Sequence, residues 1–228
     1  MFKFTIFAKE SWCDVKGGGR HQCLSKDVFA CYNSDYVGGE GRWKLIGTIE
    51  NVISVLKNDV TPYSEEELKR VINQLSDILM NDLSEYFNMA KNNGYSSITV
   101  CVIPRAKRED SYGDNQKLFR KTVQDVVNKL KNSVTGLNIV DGTHYIIRNK
   151  DTATTHLSRH GGLINGDLPY CGITKETCLI ENVDGQDVLL IDDLYTKTVC
   201  IDEDAIQALY DNGARNVFFY SIGRTIKK

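Results

Sequence analysis

The stretch from Asp187 to Ser221 constrains the fold of this chain more than any other. Val188-Leu189-Leu190-Ile191 is apolar without a break, the pattern of a strand buried on both faces, as parallel strands are. Asp192-Asp193 follows at once, then a polar loop, Leu194–Ile201. A helix from Asp202 to about Asp211 carries Ala205, Ile206 and Leu209 on one side, and Asn212-Gly213 closes it. Asn216–Ser221, NVFFYS, is the next strand. Strand, helix and strand joined this briefly form a βαβ unit, which requires parallel pairing and a right-handed crossover. The expected class is α/β.

The same rhythm begins earlier. Ser64 and Glu67 form a capping box after Pro62, and Leu68, Val71, Ile72, Leu75, Leu79, Leu83, Tyr86 and Phe87 continue a helical stripe until Asn92-Asn93-Gly94. A shorter amphipathic helix is expected at 44–57. Ser97–Ile103 reads as a strand, 115–132 as a helix, and Leu137–Val140 and Thr143–Ile147 as strands. Cys178–Val183 and Asp187–Ile191 read as consecutive strands turning at Asp184-Gly185. Residues 2–8 suit a first strand. Residues 11–42 are irregular, with Asp27–Tyr32 a candidate strand and Gly17-Gly18-Gly19 a turn. The chain divides into an N-terminal α+β hood region with two helices, 1–94, and a regular core, 95–228, built as one compact unit.

A chain of 228 residues, 41% hydrophobic, has enough material for one sizeable core. Lys and Arg number 28 against 30 Asp and Glu, so the balance does not point to a nucleic-acid partner. No stretch has the length of a membrane-spanning helix, and the start, broken by Lys3, Lys9 and Glu10, does not read as a signal peptide. A cytoplasmic location is expected. The seven cysteines are odd in number, include no CxxC pair, and read as reduced thiols. Cys13, His21, Cys23 and Cys31 lie close in sequence and could in principle bind zinc, but their spacing matches no common zinc module, so the cysteines read as loop and strand thiols.

Ligands of open parallel sheets sit beyond the carboxyl ends of the strands, where Asp192 and Asp193 fall. Burying two unpaired acids is too costly, so they should face solvent, a cation or ligand hydroxyls. The loop after them offers backbone N–H groups, the hydroxyls of Thr196 and Thr198, the charge of Lys197 and a helix start, all suited to an anion. The arrangement suits one ligand with a diol and a phosphate. The plainer alternative is a pair of solvated acids with Asp202 as a helix N-cap.

The string VLLIDDLYTKTVCIDEDAIQALYDNGA resembles the ribose-phosphate motif of type I phosphoribosyltransferases. SITVCVIPRAKREDSYGDNQKLFRKTVQDVV resembles the first strand, loop and helix of the ComF-like, amidophosphoribosyltransferase-like members of that superfamily, and FFYSIGRT their closing strand. The resemblance covers roughly residues 97–225. It implies a type I phosphoribosyltransferase-like parallel sheet flanked by helices. Asp192 and Asp193 would be the catalytic acids meeting the ribose hydroxyls of phosphoribosyl pyrophosphate. Tyr195, Thr196, Lys197, Thr198, Val199 and Cys200 would form the 5′-phosphate loop, and Arg105 and Lys107 would lie near the pyrophosphate. Magnesium (Mg2+) would bridge ligand oxygens and meet Asp192 and Asp193 through ligand or water. Residues 148–162, with Arg148, Lys150, His156, Arg159 and His160, would form a lid. The loop departs from the family at Thr198, where Gly is usual, and at Cys200, where Thr or Ser is usual. Transfer of the phosphoribosyl group to a nitrogen acceptor is the implied activity, and a homodimer the implied assembly. The alternatives are a non-catalytic nucleotide or sugar-phosphate sensor, or an accessory subunit in defence or DNA processing, on the same fold.

Overall fold

The computed structural model describes residues 1–14, 20–39, 41–58, 62–152, 177–197 and 199–226. In chain order the strands and helices are β1 (Phe2–Ile6), β2 (Trp12–Asp14), β3 (Arg20–Gln22), β4 (Val28–Tyr36), α1 (Ile49–Lys57), α2 (Glu65–Asn92), β5 (Ser97–Val102), α3 (Leu118–Leu130), β6 (Asn138–Asp141), β7 (Ile146–Arg148), β8 (Cys178–Ile180), β9 (Asp187–Tyr195), α4 (Ile201–Asp211) and β10 (Asn216–Thr225). Six strands form one sheet in the order β1-β4-β10-β9-β5-β6. β4, β10, β9, β5 and β6 run parallel, and β1 pairs antiparallel with β4 at the edge.

Both faces of the sheet are covered. Leu189 and Ile191 of β9 face one way with Val100 and Val102 of β5, against the apolar stripes of α1, α2 and α3. Val188 and Leu190 face the other way with Cys101 of β5, against Ala205, Ile206 and Leu209 of α4 and against Ile146 and Cys178 of β7 and β8. A strand buried on both faces has no polar alternation, which is why the 188–191 run reads as it does.

The long helix begins as expected. Ser64 Oγ accepts from the Glu67 amide at 3.3 Å, and Glu67 Oε2 accepts from the Ser64 amide at 2.9 Å. Asn93 caps its far end. α1 starts later than residue 44, because Arg42–Lys44 form a 3₁₀ turn and Thr48 is the N-cap. α3 likewise starts at Leu118, after a 3₁₀ turn at Asp114–Gln116.

Several expectations are corrected. β8 is not the hairpin partner of β9; it pairs antiparallel with β7 in a separate two-stranded sheet. Both edges of β9 are already occupied, by β5 and β10, so the Asp184-Gly185 turn delivers the chain into the middle of the sheet. β9 does not stop at Ile191 but continues through the two acids to Tyr195, because β10 pairs with it as far as Arg224↔Tyr195. Within the stretch 11–42, the candidate strand Asp27–Tyr32 is present as β4, which runs on to Tyr36 and lies between β1 and β10.

Candidate ligand site at the carboxyl ends of the strands

The strands of the sheet end at different heights. β5 pairs with β9 only as far as Val102↔Ile191, with one further bond from the Ile103 amide to the Ile191 carbonyl at 3.0 Å. β9 and β10 run on together. Asp192 and Asp193 therefore stand on an edge of β9 that β5 no longer covers. A cavity of about 170 Å³ opens there, between the end of α1 and the chain that follows β5. Its cationic lining comes from Lys57, Arg105, Lys107, Lys117, Arg120 and Arg148, while Asp192, Asp193 and Glu109 supply the acids. The site thus opposes a basic wall to a short acidic ledge.

Each acid on the ledge has a distinct partner. Lys57 Nζ, in the last turn of α1, lies 3.2 Å from Asp193 Oδ2. Burial works against the Lys57 charge, but Asp193 and then Asp192 outweigh it and hold the ammonium above its ordinary range. Asp192 is pushed up to about 7, by burial first and the neighbouring Asp193 charge second. Its side chain is hydrogen-bonded to that of Asp202, which is buried in the first turn of α4 and held well above the carboxylate range, mainly by burial and then by the Asp192 charge. Two carboxyl groups in contact share a proton more readily than they carry two charges. Asp202 is thus not the N-cap of α4; that place belongs to Cys200, whose φ of 59° is in the left-handed region.

The opposite wall is braced by its own backbone. Arg105 Nη1 donates to the carbonyls of Lys57 and Gln116 at 3.0 and 2.9 Å, and its guanidinium lies 4.4 Å from the centre of the Tyr112 ring. Arg148 is 7% exposed and donates from Nε to the Arg105 carbonyl at 3.0 Å. Burial lowers its pKa and that of Arg120, so a buried anion would relieve the cost of charging both. The Lys107 amide donates to Tyr112 Oη at 3.1 Å, and Thr152 donates from Oγ1 to the Ala106 carbonyl at 3.1 Å. These contacts tie the chain after β5 to the strand end that carries Arg148.

Of the residues singled out from sequence, Arg105, Lys107, Arg148, Asp192 and Asp193 meet at this cavity. The loop residues go elsewhere. Tyr195 is 4% exposed, packs on Phe4 and Phe219, and donates from Oη to Glu203 Oε1 at 2.8 Å. Thr196 Oγ1 is hydrogen-bonded to Thr225 Oγ1 at 2.8 Å, and Lys197 pairs with Glu10 at 2.5 Å. Val199 donates its amide to the Thr196 carbonyl at 3.0 Å, and Lys150 its amide to the Thr177 carbonyl at 3.3 Å. Cys200 is buried, with Sγ 3.2 Å from the Trp12 carbonyl. Thr198, His156, Arg159 and His160 lie outside the described residues.

Sequence reasoning missed Lys57, Lys117, Arg120 and Asp202. Lys57 had a readable signal, a basic residue ending an amphipathic helix, but nothing local said that this helix end meets Asp193. The cysteines were also regrouped. Cys31 is in the sheet core, whereas Cys13 and Cys23 cluster with Cys200, far away in sequence. No helix among the described residues is long and apolar enough to cross a membrane.

A scan of protein-family models gives no match to this sequence, and no curated protein is significantly similar to it.

Proposed function

We propose that this chain is a phosphoribosyltransferase-like protein that binds phosphoribosyl pyrophosphate, or a related ribose phosphate, in the cavity above β5 and β9. The observation that carries this reading is the acidic ledge of Asp192 and Asp193 facing a basic wall across one cavity. A sugar diol matches carboxylates, which accept strong hydrogen bonds. A pyrophosphate matches Arg105, Lys107 and Arg148, which line one wall of the cavity, and Arg120, which it would share with Glu109 at 3.1 Å. Asp193 would take a diol proton donor while Lys57 balances its charge. Asp192, near neutrality in its titration, would accept from the neighbouring hydroxyl once ionised.

If the group is transferred to a nitrogen acceptor, this chain's residues do two things. The acids hold the sugar with its anomeric carbon exposed, and the cations stabilise charge as the pyrophosphate leaves. Magnesium fits as an ion carried by the ligand. Its preferred donors are oxygens, and substrate phosphates commonly complete its shell. Asp193 is already neutralised by Lys57 at 3.2 Å, so the two acids suit such an ion through ligand or water oxygens and not as a protein cage.

A second reading, a sensor that binds without transfer, is favoured by one specific observation. The side chains of Thr196, Lys197 and Cys200 in the loop after β9 are engaged with Thr225, Glu10 and the Trp12 carbonyl. Among its described residues, such a loop would offer a phosphate mainly its backbone.

Calorimetric titration with phosphoribosyl pyrophosphate and magnesium tests the site. Micromolar binding by the wild type, lost in Asp192→Asn/Asp193→Asn, is expected. Pyrophosphate release with one of a panel of nucleobases then separates transferase from sensor. No binding by the wild type would sink both readings.

A further inference from the structure

The structure carries a second cluster of ligating groups that the cavity does not use. β2 and β3 pair antiparallel, with Cys13 opposite His21. Cys23 follows one residue after β3. Cys13, Cys23 and Cys200 are 2%, 5% and 3% exposed and pack on one another in a cluster of their own among the described residues. One ligand atom from each of Cys13, His21, Cys23 and Asp204 lies within 4.8 Å of the others. Cys200 packs against both Cys13 and Cys23, with Sγ 3.2 Å from the Trp12 carbonyl. His21 Nε2 stands 3.9 Å from Cys23 Sγ and 3.9 Å from Asp204 Oδ1.

We propose that Cys13, Cys23, Cys200 and His21 form a structural zinc site. Around a tetrahedral zinc bound at about 2.3 Å to sulfur, ligand atoms lie roughly 3.8 Å apart; His21 Nε2 already stands 3.9 Å from Cys23 Sγ, while the Cys13 and Cys23 sulfurs, 2.9 Å apart, would separate slightly to admit the ion. Three thiols and an imidazole are one of the donor sets that structural zinc prefers. The described cysteines are free thiols, so nothing covalent holds the cluster together. Two further features fit. β2 and β3 are three residues each, too short to stabilise themselves, and small elements of this kind are commonly stapled by metal. Cys200 is also the N-cap of α4, where the helix dipole favours a thiolate. Asp204, in the first turn of the same helix, faces the same His21 nitrogen at 3.9 Å and would balance charge at the site.

The zinc would join residues far apart in the chain, since Cys13 and Cys23 precede the sheet's β4 and Cys200 ends the loop after β9. It would anchor the hairpin to that loop and hold the loop's end in place. The position where the loop departs from the family it resembles thus supplies the third thiolate.

Elemental analysis of the chain, purified in reducing buffer without chelator, tests the assignment. A single equivalent of zinc per chain is expected. Cys13→Ser, Cys23→Ser and Cys200→Ser should each weaken retention against a competing chelator by more than about tenfold, while Cys31→Ala keeps the metal. Where a variant folds poorly, cobalt titration of the metal-free wild type decides. Intense visible bands with sulfur-to-cobalt charge transfer identify a tetrahedral thiolate site. A wild type that holds no zinc and gives only the weak bands of octahedral, thiolate-free cobalt overturns the proposal. So does a Cys13–Cys23 disulfide that persists through purification in reducing buffer.

Discussion

Asp202 stands buried in the first turn of α4, beside Asp192. It is 3% exposed, Oδ1 has no hydrogen-bond partner among the described residues, and its carboxyl contacts that of Asp192. Both acids have folded-state pKa values raised above those of the unfolded chain, Asp192 to about 7. Raised acids contribute stability that is fully present below their unfolded values and is lost as pH rises through the folded ones. The pair should therefore cost the wild type stability between about pH 4 and pH 8. Asp202→Asn keeps a donor toward Asp192 and removes one buried charge. It should raise the melting temperature at pH 8, by on the order of 1–2 kcal/mol of stability, with the gain shrinking toward pH 5. Melting curves of the two proteins across that range check it; equal gains at both ends would show that the pair does not share a proton.

At the scale of elements, α2 is held at two places. Its start depends on the reciprocal Ser64–Glu67 bonds, so Ser64→Ala should cost about 1 kcal/mol in urea unfolding. Its middle depends on buried Asp82, whose Oδ2 accepts from Tyr220 Oη at 2.7 Å and from Asn33 Nδ2 at 3.0 Å. These bonds tie the helix to β10 and β4 of the sheet. Tyr220→Phe leaves Asp82 short of a donor and should cost about 1–3 kcal/mol by the same measurement. The same ends of elements shape the cavity. Lys57 closes α1 beside Asp193, and Lys57→Met should weaken phosphoribosyl pyrophosphate binding more than Lys117→Met, since Lys57 alone of the two balances the acidic ledge. Calorimetry on the three proteins measures this, and equal losses would leave Lys57 without its special place.

For the whole molecule, the decisive fact is that β4 sits between β1 and β10. The N-terminal segments thus complete the sheet whose other strands lie between Ser97 and Thr225, and α1 and α2 share a core with α3. Unfolding should be one cooperative event. Both tryptophans, Trp12 and Trp43, are in the N-terminal third, so their fluorescence reports on that part while far-ultraviolet dichroism reports on the whole. The two urea midpoints should coincide. An earlier fluorescence transition would mean that residues 1–94 unfold separately.

The sequence by itself determined what depends on neighbours along the chain. The capping box at Ser64, the helical stripe from Leu68 to Phe87, and the unbroken apolar run at Val188–Ile191 each state their structure within a few residues, because capping, helical periodicity and two-sided burial are local patterns. That run, with the acids after it, also singled out Asp192 and Asp193, which lie inside β9 but beyond its last pairing with β5. Tertiary structure decided which elements meet. The length of β9 was set by β10, which pairs with it through Tyr195, and no local feature of DDLY announces that. Lys57 reached Asp193, Asp202 reached Asp192, and Cys200 reached Cys13 and Cys23 only because the sheet brought distant segments together. Spacing rules see only cysteines close in sequence, so they grouped Cys31 with Cys13 and Cys23. Folding instead turned Cys31 into the core and brought in Cys200, because a ligand set is defined by distance in space.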